Sequence, residues 1–440
     1  MSTPWNCGTD LRAFSREGLN AFLHAHFERN EVPFSRAWRA VEAEYYLTRS
    51  EGTDLVHAAH AVVDGDTRVL EYQTYMAESR TPRASPWTGA QAARRGILAL
   101  AREALAATQS AGVRLTTIAS RHVWGGWGEN RLPEKPAHVA MIRERMPTVN
   151  HAATGVSFQH HTPFLPGMEL GDCLMWARQL MEQHAPLLAA VAANSYHPQD
   201  HSASTRVLNC LGAWSFSLFG WSSYDEYVDE LYHALQDGMI NGPESLHPWV
   251  KVCPSSLEQR VCDMPGDVRE MMALSAVMQA IAIVCYEEAA AATRPEDLYL
   301  MTDRHGQRRL EQGIREGAYH GLFRPDQSMW SPWASERVPM GELFARLERR
   351  IGRLMDAHGY DWEREYFFRH MVGKQDNGAC RQEVWWNARM HPREVLDADH
   401  RHFVDSVDAA AQVVTEHEAG IVELANFALP PTSAPAALPS

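Results

Sequence analysis

Two glutamates stand two residues apart in an apolar, aromatic segment near the start of the chain. Glu42 and Glu44 lie in the run WRAVEAEYYL, whose aromatic and β-branched residues favour a strand. Alternate residues of a strand point to the same face of a sheet, so both carboxylates are expected on one face. Such a pair repels itself unless a cation lies between the acids, and Mg²⁺ prefers oxygen ligands, often shared with phosphate. The segment therefore predicts a cation-binding sheet face and indicates nucleotide-dependent chemistry.

Two further acids follow in VLEYQTYMAESRTP. Glu71 and Glu78 are seven residues apart, so on one regular strand they would face opposite sides unless a bulge or bend intervenes. The ordinary alternative for all four acids is a solvated strand face, because acidic side chains are mostly exposed.

The bulk composition excludes several classes of protein. A formal net charge of −14 disfavours a sequence-independent hold on nucleic acid. The seven scattered cysteines form no C-x-x-C pair, which argues against a disulfide framework and favours a reducing, cytoplasmic location. The first residues lack a signal-peptide pattern, and the apolar stretch 271–286 is short for a bilayer span, so we expect a buried helix there and no membrane partner.

Strand-like and helix-like segments are mixed over residues 38–265, whereas residues 266–425 are mainly helical in pattern. This order predicts an α+β fold with a curved, mostly antiparallel sheet and helices on its outer face. We see no linker, so residues 1–425 are expected to form one catalytic domain, and the Pro/Ser/Ala-rich tail 426–440 is expected to be disordered. The strands are predicted at 38–48, 55–63, 68–77, 113–120, 153–162 and 255–265, and the main helices at 88–110, 168–194, 223–237, 268–294, 306–321, 340–358, 362–372, 379–390 and 398–424.

Polar residues elsewhere form weaker signals. In TGVSFQHHTPF, Gln159 and His161 are expected on one strand face and His160 on the other. The paired histidines lack the spacing of a zinc motif, so ordinary core or surface histidines are the favoured interpretation. The Gly- and Trp-rich segment 122–136 is either a lid that excludes water or a structural surface loop.

Three segments carry arginines. Each arginine is expected either to bind a phosphate or substrate carboxylate, or to form an ordinary ion pair with an acidic residue of the protein. Arg206 follows the polar run ANSYHPQDHSAST, and Arg260 shares a strand face with Glu258 in SLEQRV. Arg381 and Gln382 lie in the first turn of a predicted helix, where anions are favoured.

Taken in order, these segments resemble the carboxylate–amine ligases of the glutamate–cysteine ligase type 2 family. VEAEYY, ESRTP, the Ala-Asn-Ser and Ser-x-Arg pieces, LE-x-R-x-x-D and GA-x-RQ occur in the family's order over about residues 38–390. The resemblance implies a glutamine-synthetase-like catalytic funnel that uses ATP and Mg²⁺. A substrate carboxylate, by analogy that of glutamate, would form an acyl phosphate. An amine would then attack it to give an amide, and the expected products are γ-glutamyl dipeptides with cysteine or another amino acid, including a non-protein one.

The resemblance also implies roles for individual residues. The implied metal ligands are Glu42, Glu44, Glu71, Glu78, Gln159 and Glu258. The implied catalytic residues are Arg206, Arg260 and Glu78. Nucleotide binding is assigned to Arg260, Arg381 and Gln382, and substrate binding to Arg206, Asn194 and Ser204. The partners are therefore small amino acids, and a homo-oligomer is compatible with the sequence.

The chain departs from the family pattern at two places. Ser157 and Gln159 stand where the family has a His-x-His or His-x-Asn pair, and Tyr196 replaces the proline after Ala-Asn-Ser. These changes leave the acceptor amine open. They also keep two alternatives: an amino-acid-binding or regulatory homologue with altered catalysis, and a metal hydrolase using the His-rich segments 151–161 and 197–201.

Overall fold

The computed structural model describes most of the chain. The described residues are 10–29, 38–50, 53–70, 74–82, 87–119, 155–164, 170–213, 220–238, 240, 249–253 and 256–425. Glu71, the segment 122–136 and the tail 426–440 lie outside them, so the predictions on these parts stay predictions.

The sheet strands come from the first 260 residues. They are β1 (Trp38–Arg49), β2 (Arg68–Leu70), β3 (Met76–Arg80), β4 (Trp87–Thr88), β5 (Val113–Thr116), β6 (Phe158–Pro163), β7 (Val250–Val252) and β8 (Ser256–Gln259). A separate two-stranded sheet joins β9 (Ser328–Trp330) to β10 (Arg337–Pro339).

Helices surround the sheet and fill the C-terminal half. They are α1 (Arg16–Arg29), α2 (Ala59–Val62), α3 (Ala90–Ser110), α4 (Asp172–Glu182), α5 (Ala185–Val191), α6 (Thr205–Ala213), α7 (Tyr224–Gln236), α8 (Val268–Ala291), α9 (Arg304–His320), α10 (Met340–Ala357), α11 (Asp361–Glu365), α12 (Gly378–Asn387) and α13 (Pro392–Ala425). A π-helical segment, Tyr366–Val372, continues α11.

The long strand β1 organises the main sheet. The strand order is β2-β3-β1-β6-β8-β7, and β4 and β5 also pair with β1. Every paired strand of this sheet in the described ranges is antiparallel. The predicted α+β class with a mostly antiparallel sheet is therefore confirmed.

The two faces of this sheet have different chemistry. One face carries Val41, which is fully buried, and His160, whose ring nitrogens meet Gln279 Oε1 at 3.1 Å and Ser275 Oγ at 3.2 Å on helix α8. Because side chains alternate along a strand, Glu42 and Gln159 point to the opposite face. Helix α8 thus covers the apolar face and leaves the acidic face for the site described below.

Helix α8 is the apolar segment that the sequence marked at 271–286. Among the described helices, it is the one long and apolar enough to cross a membrane, but 89% of its most apolar window is buried inside the protein. The prediction of a buried helix is confirmed.

Two sequence predictions of local structure were wrong. The predicted strand 55–63 contains the short helix α2, which buries Ala59 and Val62, three residues apart and so on one helical face. The predicted helix 168–194 is two helices, since a new helix starts with Pro186 in its first turn, where proline is preferred.

A buried ion pair joins α3 to α11. Arg94 Nε and Nη2 donate to the two carboxylate oxygens of Glu363 at 2.7 and 2.6 Å, and both side chains are buried. Nη2 also donates to Gly359 O at 2.8 Å. The forked geometry fixes how α3 packs against the C-terminal helices.

We expect Glu363→Ala to lower the free energy of unfolding by about 3–5 kcal/mol, because it leaves the Arg94 guanidinium buried without its counter-charge. Urea denaturation followed by circular dichroism measures the change. The matched control is Glu365→Ala, whose exposed side chain lies two residues further along the chain. Equal midpoints for the two variants would contradict a stabilising role for the pair.

Candidate active site

The acidic face is built from three successive cross-strand rows. The first row pairs Glu44 of β1 with Glu78 of β3. In the second row, Glu42 lies between Arg80 of β3 and Gln159 of β6. In the third row, His161 of β6 lies opposite Glu258 of β8. Directly opposed side chains of antiparallel strands have Cβ atoms about 4.5–5.5 Å apart, so residues far apart in sequence share one surface.

Glu44 accepts hydrogen bonds from Ser157 and Gln159, two of the residues at which the sequence departs from the resemblance. Ser157 donates to Glu44 Oε2 from its backbone N at 2.7 Å and from Oγ at 2.8 Å. Gln159 Nε2 donates to Glu44 Oε1 at 2.9 Å. These neutral donors stabilise the carboxylate without adding positive charge. The departure from the family pattern thus makes a connected set of hydrogen bonds around Glu44.

His161 lies between two carboxylates. Its Nε2 is 3.5 Å from Glu42 Oε1, and its ring faces Glu258 across the strand pair. Burial opposes protonation, yet Cys253, Glu42 and Glu258 together raise the pKa of His161 well above its usual value. Burial would likewise raise the pKa of Glu42, but His161 and Arg80 outweigh it and lower that pKa. The raised pKa favours the charged form of His161, which offsets the negative charge of Glu42 and Glu258.

Glu258 is held as a carboxylate by flanking cations. Arg260 Nε donates to Glu258 Oε1 at 2.9 Å, and Lys251 Nζ lies 3.9 Å from Oε2. Burial opposes ionisation, but Arg260, Lys251 and His161 lower the pKa of Glu258 to about 2. As the alternation predicted, Glu258 and Arg260 share a face, and they form an ion pair there.

A second, fully buried cluster lies beside the acidic face and centres on Asp263. Asp263 Oδ2 accepts from Asn194 N at 2.9 Å and Ser195 Oγ at 2.7 Å, and Oδ1 accepts from Ser204 Oγ at 2.9 Å. Arg206 Nη1 is 3.6 Å away. Burial raises the pKa of Asp263, although Arg206 and these donors oppose the shift.

Arg206 connects the two clusters. Its Nη2 donates to Arg260 O at 3.1 Å and its Nη1 to Val261 O at 3.3 Å. Its side chain passes over Gly155, where an added Cβ would lie 2.4 Å from Arg206 Cγ. Arg206 therefore ties helix α6 to the end of β8.

Arg381 and Gln382 lie behind Asn194. Gln382 Nε2 donates to Asn194 Oδ1 at 2.8 Å, and Arg381 Nη1 donates to Glu270 Oε1 at 2.7 Å and to Asp376 Oδ1 at 2.9 Å. Asn194 Nδ2 donates in turn to Thr117 O at 2.9 Å and Met264 O at 2.7 Å. Asn194 is buried, and its side-chain amide makes hydrogen bonds to other groups of the protein. The nucleotide and substrate roles of these residues stay predictions.

The structure thus groups the sequence-predicted residues into two sets. The acidic-face set is Glu42, Glu44, Glu78, Gln159, Glu258 and Arg260. The buried set is Asn194, Ser204, Arg206 and Gln382, with Arg381 at its edge. Sequence reasoning assigned no ligase role to Asp263, which ends the LE-x-R-x-x-D motif, or to Ser157, His161 and Cys253. Alternation with Gln159 was the signal available for His161, whereas nothing in the spacing indicated Cys253.

Comparison with known proteins agrees with this arrangement. The sequence pattern described as "Glutamate-cysteine ligase family 2(GCS2)" matches residues 38–394, a range that includes both sets. The chain belongs to glutamate–cysteine ligase family 2, which confirms the resemblance.

One curated relative is "Putative glutamate--cysteine ligase 2" of Gloeobacter violaceus. It is 26% identical over 176 residues, which are 38% of this chain and 45% of the relative. The match therefore spans a little under half the length of that relative.

Two solved structures share the fold. A glutamate–cysteine ligase from Francisella tularensis, crystallised in complex with AMP, superposes with a TM-score of 0.62 at 11% identity, covering 87% of this chain and 93% of that one. A bifunctional glutathione synthetase from Pasteurella multocida gives a TM-score of 0.60 at 12% identity, covering 88% of this chain and 55% of that one. At these identities the likeness concerns the fold.

We expect Asp263→Asn to lower the free energy of unfolding by about 1.5–3 kcal/mol, because the new amide NH₂ replaces an acceptor of charge-assisted hydrogen bonds. Thermal and urea unfolding measure the effect. Asp408→Asn, at an exposed position of α13, serves as the control. An Asp263→Asn variant as stable as the control would show that the cluster does not depend on the carboxylate.

Proposed function

We propose that this protein is an ATP-dependent ligase that joins an amino-acid carboxylate, that of glutamate, to the amine of a second amino acid. The observation that carries the proposal is the convergence of Glu42, Glu44, Glu78 and Glu258 from three strands on one face of the sheet. Family membership and the fold shared with an AMP-bound ligase support it. The carboxylate attacks the γ-phosphate of ATP, and the acyl phosphate then reacts with the amine.

The donor set of the acidic face fits Mg²⁺. Carboxylate oxygens are the ligands that this ion prefers, and Glu42, Glu44, Glu78 and Glu258 would hold it, with Glu71 and Gln159 completing the proposed set. The acids share a face without forming a tight cluster, so their side chains would draw together around a cation. When bound, Mg²⁺ would neutralise the negative charge of the triphosphate.

The remaining residues hold the reacting groups and the floor of the site. Arg260 pairs with Glu258, and we propose that it holds the transferred phosphate beside the acids. Arg206, Asn194 and Ser204 are proposed to bind the substrate carboxylate, and Arg381 and Gln382 to support the nucleotide. Since Ser157 and Gln159 replace the family histidines, the acceptor is proposed to be cysteine or another amino acid, including a non-protein one.

We also propose a cytoplasmic protein with small amino acids as partners and neither nucleic acid nor membrane. Within the described ranges, six cysteines are free, as expected in a reducing compartment.

An ADP-release assay with ATP, Mg²⁺ and pairs from a panel of amino acids tests the proposal. We expect ADP release only when a carboxylate donor and an amine are both present, with the new amide detected by mass spectrometry. Binding of Mg-ATP with no turnover for any pair would contradict the ligase and favour a regulatory homologue.

Glu42→Gln keeps the size of the side chain but removes one charge from the acidic face. We expect kcat/KM for ligation to fall by at least about 100-fold, as it does when one preorganised electrostatic contact is removed. Glu296→Gln, which changes an exposed carboxylate, should keep the wild-type rate. Thermal unfolding of both variants checks that the fold is intact. Wild-type turnover in Glu42→Gln would remove Glu42 from the catalytic set.

A further inference from the structure

An imidazole, a thiol and a carboxylate lie close together at the β7–β8 end of the acidic face. A ring nitrogen of His161, Sγ of Cys253 and a carboxylate oxygen of Glu258 all lie within 4.8 Å of one another. Across the described ranges, this is the one group of three His, Cys, Asp or Glu residues that is so close. Cys253 follows β7, and its backbone N donates to Ser256 O at 2.9 Å, so the turn into β8 places the thiol beside Glu258.

The three ligand atoms are close enough to converge on one metal ion. Zn²⁺ bonds of about 2.0–2.3 Å place neighbouring ligand atoms roughly 3.3–3.8 Å apart in tetrahedral geometry. Cys253 Sγ donates to Glu258 Oε2 at 3.2 Å, and His161 Nε2 is 3.5 Å from Glu42 Oε1. The edge between Cys253 and Glu258 is therefore close to the length that such a site needs, and the other two edges of the group, each within 4.8 Å, would shorten around an ion.

The surrounding groups already orient these ligands. Ser256 Oγ is 3.2 Å from His161 Nδ1, while His161 Nε2 faces Glu42 Oε1 at 3.5 Å. Arg260 donates to Oε1 of Glu258, and Oε2 of Glu258 faces Cys253. In metal sites, one histidine nitrogen binds the ion and the other is held by an outer partner, and ligating carboxylates are also hydrogen-bonded.

We propose that His161, Cys253 and Glu258 form a site for a transition-metal ion of the Zn²⁺ type, whose thiolate and imidazole donors set it apart from the Mg²⁺ set. A thiolate and an imidazole favour Zn²⁺ or Co²⁺ over Mg²⁺, which prefers oxygen ligands. Binding replaces the S–H bond of Cys253 by a sulfur–metal bond and requires a neutral imidazole, and the protons released go to solvent. The site shares Glu258 with the proposed Mg²⁺ set, but its test needs neither ATP nor amino acids, so its failure and the failure of the proposed ligation can be told apart.

Co²⁺ titration of the chelator-treated full-length protein, in excess Mg²⁺ and without substrates, tests the site. We expect one equivalent of Co²⁺ to give a thiolate-to-cobalt charge-transfer band in the near ultraviolet, and Zn²⁺ to remove it. Cys253→Ser should abolish the band, and His161→Gln should weaken Co²⁺ binding by at least about tenfold. Cys173→Ser, which changes a half-buried thiol outside the group, should keep the band.

Circular dichroism of each variant shows whether it folds. If Cys253→Ser does not fold, His161→Gln and the wild-type titration decide. No thiolate band in the wild type, a band that persists in folded Cys253→Ser, or unchanged Co²⁺ affinity in His161→Gln would each overturn the proposal.

Discussion

Repulsion between carboxylates on one sheet face is the constraint on which the site depends. Antiparallel pairing places Glu44 against Glu78 and brings Glu42 and Glu258 into neighbouring rows. The protein counters this repulsion differently at the two ends of the face. Ser157 and Gln159 donate hydrogen bonds to Glu44, whereas His161, Arg260 and Lys251 place positive charge around Glu42 and Glu258. Hydrogen bonds thus hold the acids at one end of the face, and ion pairs hold them at the other.

The buried Asp263 cluster fixes the position of the acidic face relative to the helices. Hydrogen bonds from Asn194, Ser195 and Ser204 converge on one carboxylate. Arg206 links this cluster to the acidic face, because it donates a hydrogen bond to the backbone oxygen of Arg260, and the side chain of Arg260 pairs with Glu258. Because buried polar groups are costly when unpaired, such a network restricts the backbone to one arrangement.

Some features followed from the sequence because their cause is local. The alternation of Glu42 and Glu44 in an apolar strand predicts a shared face at any strand pairing, and the apolar run at 271–286 predicts a buried helix wherever it packs. Predictions failed where tertiary packing or a turn decided the outcome. Helix α2 replaced an expected strand because Ala59 and Val62 pack on one side. A new helix, with Pro186 in its first turn, began inside an expected longer one.

By itself, the sequence determined the α+β class, the family and the residue types of the acidic face, since these depend on periodicity and on motifs in a fixed order. Tertiary structure alone decided which residues meet across strands. The register of β6 against β1 and β8 places Ser157 on Glu44 and His161 opposite Glu258, and the turn from β7 brings Cys253 to the same place. A shift of one residue would have turned each of these side chains to the other face, and strand register is a property of the folded sheet rather than of any single segment.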